Sequence, residues 1–354
     1  MQFRIFKQVP RILFGQNTLE RINELLPSRG EGYYAFIIDK EVITNILPKL
    51  LSVTNTNDDF VESFNASDKE PNIAQVDELK DRILRTRGTK PQAIIGIGGG
   101  STMDIAKATS LMFDNEGSAS LYQGWDLVKS LGVFKIGIPT LSGSGSEASR
   151  TAVFYHKDKK FGINSDYSMF DAIILDSTLM ATVPQEQKFF SAMDCYIHSV
   201  ESISGTMIND LSRAYADRGL ELCRRYFEGT GNDDQLMVAS YMGGCSIVNS
   251  EVGICHALSY GLSLELGYRH GVANCIAFQK LGKYYGSYVD EFCQYLQRFS
   301  IKLPQNVVRI LDDAGMERMV AMTKRMEKPL TNALGVNWRE KFTDSDIRNL
   351  YSQM

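Results

Sequence analysis

Asp194, His198, His256 and His270 are the residues of this chain whose types and spacing could do chemistry. Asp194 and His198 stand four apart in Asp-Cys-Tyr-Ile-His, and on a helix that spacing puts both side chains on one face. His256 follows in Ile-Cys-His-Ala-Leu, and His270 in Tyr-Arg-His-Gly-Val. The whole chain has only 4 histidines, so three of them fall in this set. One carboxylate with three imidazoles makes a ligand set for Zn²⁺ or Fe²⁺, and an expanded coordination would admit a substrate oxygen. The same spacing is also compatible with two helices that each carry a hydrogen-bonded structural histidine.

A second chemical feature lies upstream. Ile94 to Lys107 runs from an apolar strand through Gly98, Gly99 and Gly100 into a helix opened by Ser101, Thr102, Met103 and Asp104. Glycines at a strand-to-helix turn let the backbone approach a phosphate, and the helix N-terminus supplies amides and a positive dipole end. The run is not Gly-x-Gly-x-x-Gly, and Ser101 with Asp104 also fits a structural capping box. Three adjacent glycines cost backbone entropy, which favours phosphate binding over a merely tight turn. The polar turn Pro139 to Glu147 follows another strand and offers the hydroxyls of Thr140 and Ser144. Two such loops after consecutive strands lie at one sheet edge, where dinucleotides bind. Asp39 ends an earlier strand. A carboxylate there accepts hydrogen bonds from an adenosine ribose and repels a 2′-phosphate, so NAD is expected ahead of NADP. Asp39 precedes the glycine turn, the reverse of the usual order.

These residues need elements to hold them. The apolar runs Tyr34–Ile38, Ala93–Ile97, Ile136–Ile138 and Ala172–Leu175 read as short strands, with an amphipathic helix over Ile73–Arg87. That alternation predicts an α/β domain with a parallel sheet. The polar stretch from Thr54 to Asn72 reads as a surface loop with one edge strand. After Pro184 strand signals vanish and helical periodicity takes over, as in Leu211–Phe227 and Gln235–Val248. The expectation is an α/β dinucleotide-binding domain over residues 1–183 and an all-α metal-binding domain over 184–354.

Composition narrows the class. A hydrophobic content of 44% beside 23% charged residues is that of an ordinary globular protein. The net charge of −4 offers no global attraction to nucleic acid or an anionic membrane. No apolar run is long enough to span a bilayer, and the N-terminus lacks an uninterrupted apolar segment, so neither a membrane anchor nor a signal peptide is expected. The 6 cysteines all lie in the second half without a Cys-x-x-Cys pair and read as reduced thiols. A cytoplasmic protein with a small-molecule substrate is the expectation.

Taken together, these segments resemble the iron-containing (group III) metal-dependent alcohol dehydrogenases over most of the chain. Gly98 to Lys107 is similar to that family's pyrophosphate loop, and Ile138 through Glu147 to its second cofactor loop. Asp176 to Leu179, with Pro184 after it, resembles the family's interdomain link. Asp194, His198, His256 and His270-Gly271 coincide with its metal motif in type, order and spacing. The resemblance implies a divalent metal, Fe²⁺ or Zn²⁺, and NAD in a cleft between two domains. Lys160 joins the cofactor set, and a homodimer would pair strands such as Phe3 to Phe6. The implied reaction is hydride transfer from a metal-activated hydroxyl to the nicotinamide.

The departures from that pattern matter. A family histidine four residues after the third ligand, where it relays the proton, is Tyr260 here. A phenol with a pKa near 10 is a poor base at neutral pH. The usual Asn-Pro is incomplete around Asn72. The chain is also short, and these features resemble a branch that oxidises C8 of a sugar acid, 3-deoxy-D-manno-octulosonate, in lipopolysaccharide sugar biosynthesis. For an acidic substrate Arg269, Arg150 and Lys160 are the candidate cations. Competing readings are an iron oxidase that passes electrons to O₂, a dehydroquinate-synthase-like lyase, and a non-catalytic metal-binding protein.

Overall fold

A strand buried on both faces must be apolar at every position, and this is the pattern of the strands in the first half. The computed structural model describes residues 6–54, 58–66, 71–156 and 159–354. The chain divides into two compact units, Met1–Val183 with Asp233–Tyr241, and Pro184–Asn232 with Met242–Met354. Residues 3–5 of the strand expected to pair between subunits lie outside the described residues.

In the first unit the elements are β1 (Ile12–Phe14), β2 (Tyr34–Asp39), α1 (Ile43–Val53), β3 (Phe60–Phe64), α2 (Ala74–Arg87), β4 (Ala93–Gly98) and α3 (Gly100–Leu111). They continue with β5 (Gly124–Trp125), β6 (Phe134–Pro139), β7 (Thr151–His156), β8 (Lys159–Asn164) and β9 (Ala172–Leu175). Six strands form a sheet in the order β1-β9-β6-β4-β2-β3, every pair parallel. Alternate residues feed two cores. Ala35, Ile37 and Ile94 enter one with Ile105 and Ala106 of α3, while Phe36, Ile38, Ile95 and Ile97 enter the other with Ile46 and Leu50 of α1. β3 is an edge strand, as the polar stretch around it suggested.

The chain order reverses between β2 and β4. β3 lies outward of β2, and the later strands β6 and β9 add on the opposite side of β4. The C-terminal ends of β2 and β4, at Asp39 and Gly98, therefore flank the topological switch point, where open α/β sheets bind ligands.

Two features were absent from the sequence expectation. β7 and β8 pair antiparallel and, with β5, make a small second sheet. The segment Asp233–Tyr241, expected in the helical domain, groups instead with the first unit. Polar contacts explain it: Asp234 accepts from Gln16 Nε2 at 3.0 Å and from the Ser177 hydroxyl. Ser240 Oγ donates to Glu147 at 2.8 Å and accepts from the Gly143 amide at 2.8 Å.

The second unit is built around α4 (Gln185–Ser204), α5 (Asp210–Phe227), the C-terminal part of α6 (Asp233–Asn249), α7 (Ile254–Leu266) and α8 (His270–Phe278), with further helices to Ser352. No strand follows β9 among the described residues. α4 is buried at almost every position from Phe189 to Ser202, so it forms the middle of this unit. All six cysteines are free thiols, and among the described residues no helix is long and apolar enough to cross a membrane.

Lys107 ties the first unit together. It is fully buried, and its Nζ donates to Ser146 O (2.5 Å), Ser146 Oγ (3.0 Å), Ser149 Oγ (3.1 Å) and Thr151 O (3.0 Å). Burial pulls its pKa down to about 8, against the opposing pull of Asp104 and Glu147. Lys107→Met should leave these acceptors and the buried carboxylates without their cation. The expected loss is about 3–5 kcal/mol in the first unit's unfolding, read from its urea midpoint. A loss within the noise of a surface substitution would contradict this.

Candidate metal centre and dinucleotide loops

The i, i+4 spacing on α4 brings Asp194 and His198 to one face, with His198 Nε2 3.6 Å from Asp194 Oδ1. His256, in the first turn of α7, places Nε2 3.3 Å from the same oxygen. His270, the first residue of α8, places its Nε2 at 3.7 Å. Ligand atoms of Asp194, His256 and His270 all lie within 4.8 Å of one another. The His198 and His256 rings stack with centroids 4.7 Å apart, and His256 and His270 lie at 5.2 Å.

These spacings suit a metal. With ligand bonds near 2.1 Å, neighbouring donors of a tetrahedral ion stand roughly 3.4 Å apart. Burial alone would push the Asp194 carboxyl up, but the imidazoles of His198, His270 and His256 hold it well below the usual carboxylate range. Cys255 and Cys275 are close in sequence to the histidines, yet burial raises both thiols well above their ordinary value. Cys255 Sγ donates to Asn274 O at 3.2 Å. The ligand atoms that converge are nitrogens and a carboxylate oxygen, a set suited to Zn²⁺ or Fe²⁺. Side-chain exposure is 4% or 5% for His198, His256 and Asp194 but 30% for His270, so the cluster opens on the His270 side. Tyr260 stands there, its ring nearly perpendicular to that of His270 with centroids 6.0 Å apart.

Two further side chains belong to this cluster and were not singled out from the sequence. Asn274, four residues after His270 on α8, donates from Nδ2 to Asp194 Oδ1 at 2.7 Å and lies 3.2 Å from Nε2 of both His256 and His270. Glu201, one turn beyond His198 on α4, meets His256 Nδ1 at 2.5 Å. The i+3 and i+4 offsets could have flagged both, but only beside an established ligand.

In the first unit the glycine turn has a steric origin. A Cβ on Gly98 would lie 2.7 Å from Thr102 Cβ and 2.9 Å from Asp39 Cβ, and one on Gly100 3.0 Å from Ser144 Oγ. Asp39 is thus packed against the turn, with Thr102 Oγ1 3.5 Å from its Oδ2, and burial raises its pKa. The Thr140 amide donates to Gly98 O at 3.0 Å, which joins the second loop to the first. Ser144 Oγ accepts from the Ser146 amide at 3.3 Å.

The capping box expected from Ser101 and Asp104 does not form. Gly99 is the N-cap of α3, and no side chain caps the helix. Ser101 lies inside the first turn, and Asp104 faces inward. Asp104 accepts from Ser146 Oγ at 2.6 Å and from the Val153 amide at 2.9 Å, so it holds the second loop and β7. A first turn without a side-chain cap, beside Gly98 whose neighbours leave no space for a Cβ, fits a phosphate cradle. Lys160 is buried on β8, its Nζ 5.5 Å from the Tyr155 ring centroid. Arg150 is paired with Asp126 and Asp166.

Comparison with known proteins follows this division of the chain. A family model described as Iron-containing alcohol dehydrogenase matches residues 10–177. A second, Fe-containing alcohol dehydrogenase family, C-terminal, matches residues 188–352. The chain belongs to the iron-containing alcohol dehydrogenase family. Among its relatives, the sulfoacetaldehyde reductase of Bilophila wadsworthia is 32% identical over 213 residues, 58% of this chain and 54% of that protein. The aligned stretch thus spans about half the relative's length. An alcohol dehydrogenase of Thermococcus barophilus is 26% identical over 78% of this chain and 74% of its own. The fold matches the crystal structure of sulfoacetaldehyde reductase from Bifidobacterium kashiwanohense in complex with NAD⁺, with a TM-score of 0.80 at 18% identity over 99% of this chain and 98% of that one.

His198→Ala, His256→Ala and His270→Ala should each bind markedly less Zn²⁺ or Co²⁺ than the unaltered chain, with the far-ultraviolet circular dichroism preserved. Elemental analysis after dialysis checks it, and full occupancy in all three variants would count against the cluster as a metal site.

Proposed function

We propose that this protein is a metal-dependent, NAD-linked dehydrogenase that oxidises a hydroxyl of a polyol or sugar acid to a carbonyl. The observation that carries the reading is the convergence of three imidazole nitrogens on Asp194 Oδ1, with one side of the cluster open. Asp194, His198, His256 and His270 would hold Fe²⁺ or Zn²⁺, which supplies Lewis acidity toward a substrate hydroxyl. Gly98, Gly99, Gly100, Ser101, Thr140 and Ser144 would hold the dinucleotide, which supplies the hydride acceptor. Asp104 and Lys107 position the second loop, and Lys160 lines the same small sheet.

Asp39 closes the ribose end of this cradle. Its carboxylate at the switch point accepts hydroxyl hydrogen bonds and disfavours a 2′-phosphate. Tyr260 sits on the open side, where it shapes the space a substrate enters. A phenol is in general poorly matched to take a proton at neutral pH, so Tyr260 is assigned the shaping of that space rather than the proton relay.

The substrate is proposed to be acidic. Arg269 is the N-cap residue of α8, directly before the ligand His270, which favours a carboxylate near the open side. The Bilophila relative is named for a small acidic aldehyde, in keeping with that preference. The most specific candidate is the C8 hydroxyl of 3-deoxy-D-manno-octulosonate, which would place the enzyme in lipopolysaccharide sugar biosynthesis. A homodimer in the cytoplasm is part of the same reading.

The test is turnover of NAD and NADP on a panel of polyols and sugar acids, with protein loaded with Fe²⁺ or Zn²⁺. Nicotinamide-dependent oxidation of an acidic sugar, with NAD preferred and the preference narrowed by Asp39→Gly, is the expected result. Hydrogen peroxide formation without net nicotinamide turnover would instead establish an O₂-using oxidase. Tyr260→Phe should raise KM for the substrate while kcat falls far less than the roughly 10²-fold of a lost general base. A larger kcat loss at unchanged metal content would make the phenol the proton relay.

A further inference from the structure

The carboxylate of Glu201 is 1% exposed and carries four hydrogen bonds, one for each of its acceptor positions. Oε1 accepts from the Cys255 amide at 2.7 Å and the Tyr285 hydroxyl at 2.9 Å. Oε2 accepts from the Gly253 amide at 2.8 Å and meets His256 Nδ1 at 2.5 Å. The space is cleared for it: a Cβ on Gly253 would stand 2.6 Å from the Tyr285 hydroxyl and 2.9 Å from Glu201 Oε1.

The two backbone amides belong to the start of α7, so a helix-capping role would account for them. It would not account for His256. That ring lies between two carboxylates, with Nδ1 2.5 Å from Glu201 and Nε2 3.3 Å from Asp194. A neutral imidazole has one proton to give, and its position decides whether Nε2 has a free lone pair. The shorter, charge-assisted contact to Glu201 draws the proton to Nδ1. Nε2 is then left as an acceptor facing Asp194.

We propose that Glu201 is a positioning residue for the metal centre: it fixes the tautomer and orientation of His256 so that Nε2 is ready to bind the ion. The inference rests on the metal reading given above. In Glu201→Gln an amide replaces one of the two acceptor oxygens. With the amide nitrogen at the Oε2 position, His256 Nδ1 and the Gly253 amide lose their acceptor, and the Asp194 contact then favours a proton on Nε2; at the Oε1 position the Cys255 amide loses its acceptor instead.

The experiment compares Zn²⁺ dissociation constants of the full chain and its Glu201→Gln variant by competition with a chelator dye. Glu201→Gln should bind Zn²⁺ about 10- to 100-fold more weakly. Tyr285→Phe removes one hydrogen bond to Glu201 without touching His256, and should lower thermal stability with a far smaller change in Zn²⁺ affinity. Equal Zn²⁺ affinity in Glu201→Gln and the unaltered chain, with only stability reduced, would leave Glu201 as a helix cap and overturn the proposal. If the unaltered chain itself retains no stoichiometric Zn²⁺, the metal reading fails, and this inference with it. Should Glu201→Gln not fold, the Zn²⁺-loaded protein labelled with ¹⁵N-histidine decides, since only 4 rings contribute signals. A slowly exchanging, downfield Nδ1 proton on His256 supports the assignment, and an unprotonated or metal-bound Nδ1 overturns it.

Discussion

Asp194 is a carboxylate taken almost entirely out of water, at a desolvation cost that is tolerable only if opposite partial or full charge surrounds it. Three imidazoles and the Asn274 amide supply that surrounding, all directed at Oδ1. They come from three helices, so the packing of α4, α7 and α8 and the electrostatics of the cluster are one problem. A helix rotated by one residue would bury a carboxylate or an imidazole without its partners. The small residue at the contact of α8 with α4 fits this demand: a Cβ on Gly271 would lie 2.9 Å from the Phe190 carbonyl oxygen.

The first unit solves a parallel problem with the opposite sign. Lys107 is a buried cation whose donors are spent on the second loop and on β7, while Asp104 accepts from the same two segments. This pair anchors a Gly/Ser-rich loop that has little side-chain packing of its own. Rigidity at the loop's base holds it against the glycine turn at the sheet edge, where the Thr140 amide donates to Gly98 O. The cost of ordering a cradle is thereby met before any ligand arrives.

The polar residues of both sites are thus arranged in layers. Asp194 and the histidines form the inner layer of the second unit, and Glu201 and Asn274 orient them from behind. In the first unit the glycine turn lies against the loop that carries Thr140 and Ser144, and Asp104, Lys107 and Glu147 are buried around it. In the second unit the residues behind, Glu201 and Asn274, are the more deeply buried.

The sequence by itself determined the parallel strands, because a strand buried on both faces leaves an uninterrupted apolar run. It also marked Asp194 and the three histidines that the structure brings together, because helical spacing and scarce histidines single them out. The glycine turn was visible for the same reason of composition. The tertiary structure alone decided the rest. β1 and the β7/β8 hairpin are short or polar enough to escape periodicity. The capping box at Ser101 and Asp104 satisfied a local rule but lost to long-range partners, Ser146 and Val153, 42 and 49 residues away. Asp233–Tyr241 joined the first unit through Asp234 and Ser240, whose partners are up to 218 residues distant. Glu201 finds His256 at a separation of 55, and Asn274 finds Asp194 at 80. Local pattern reports which face of an element is buried. Which buried polar atom meets which is settled only when the elements pack, because each bond is satisfied by a partner that no nearby residue announces.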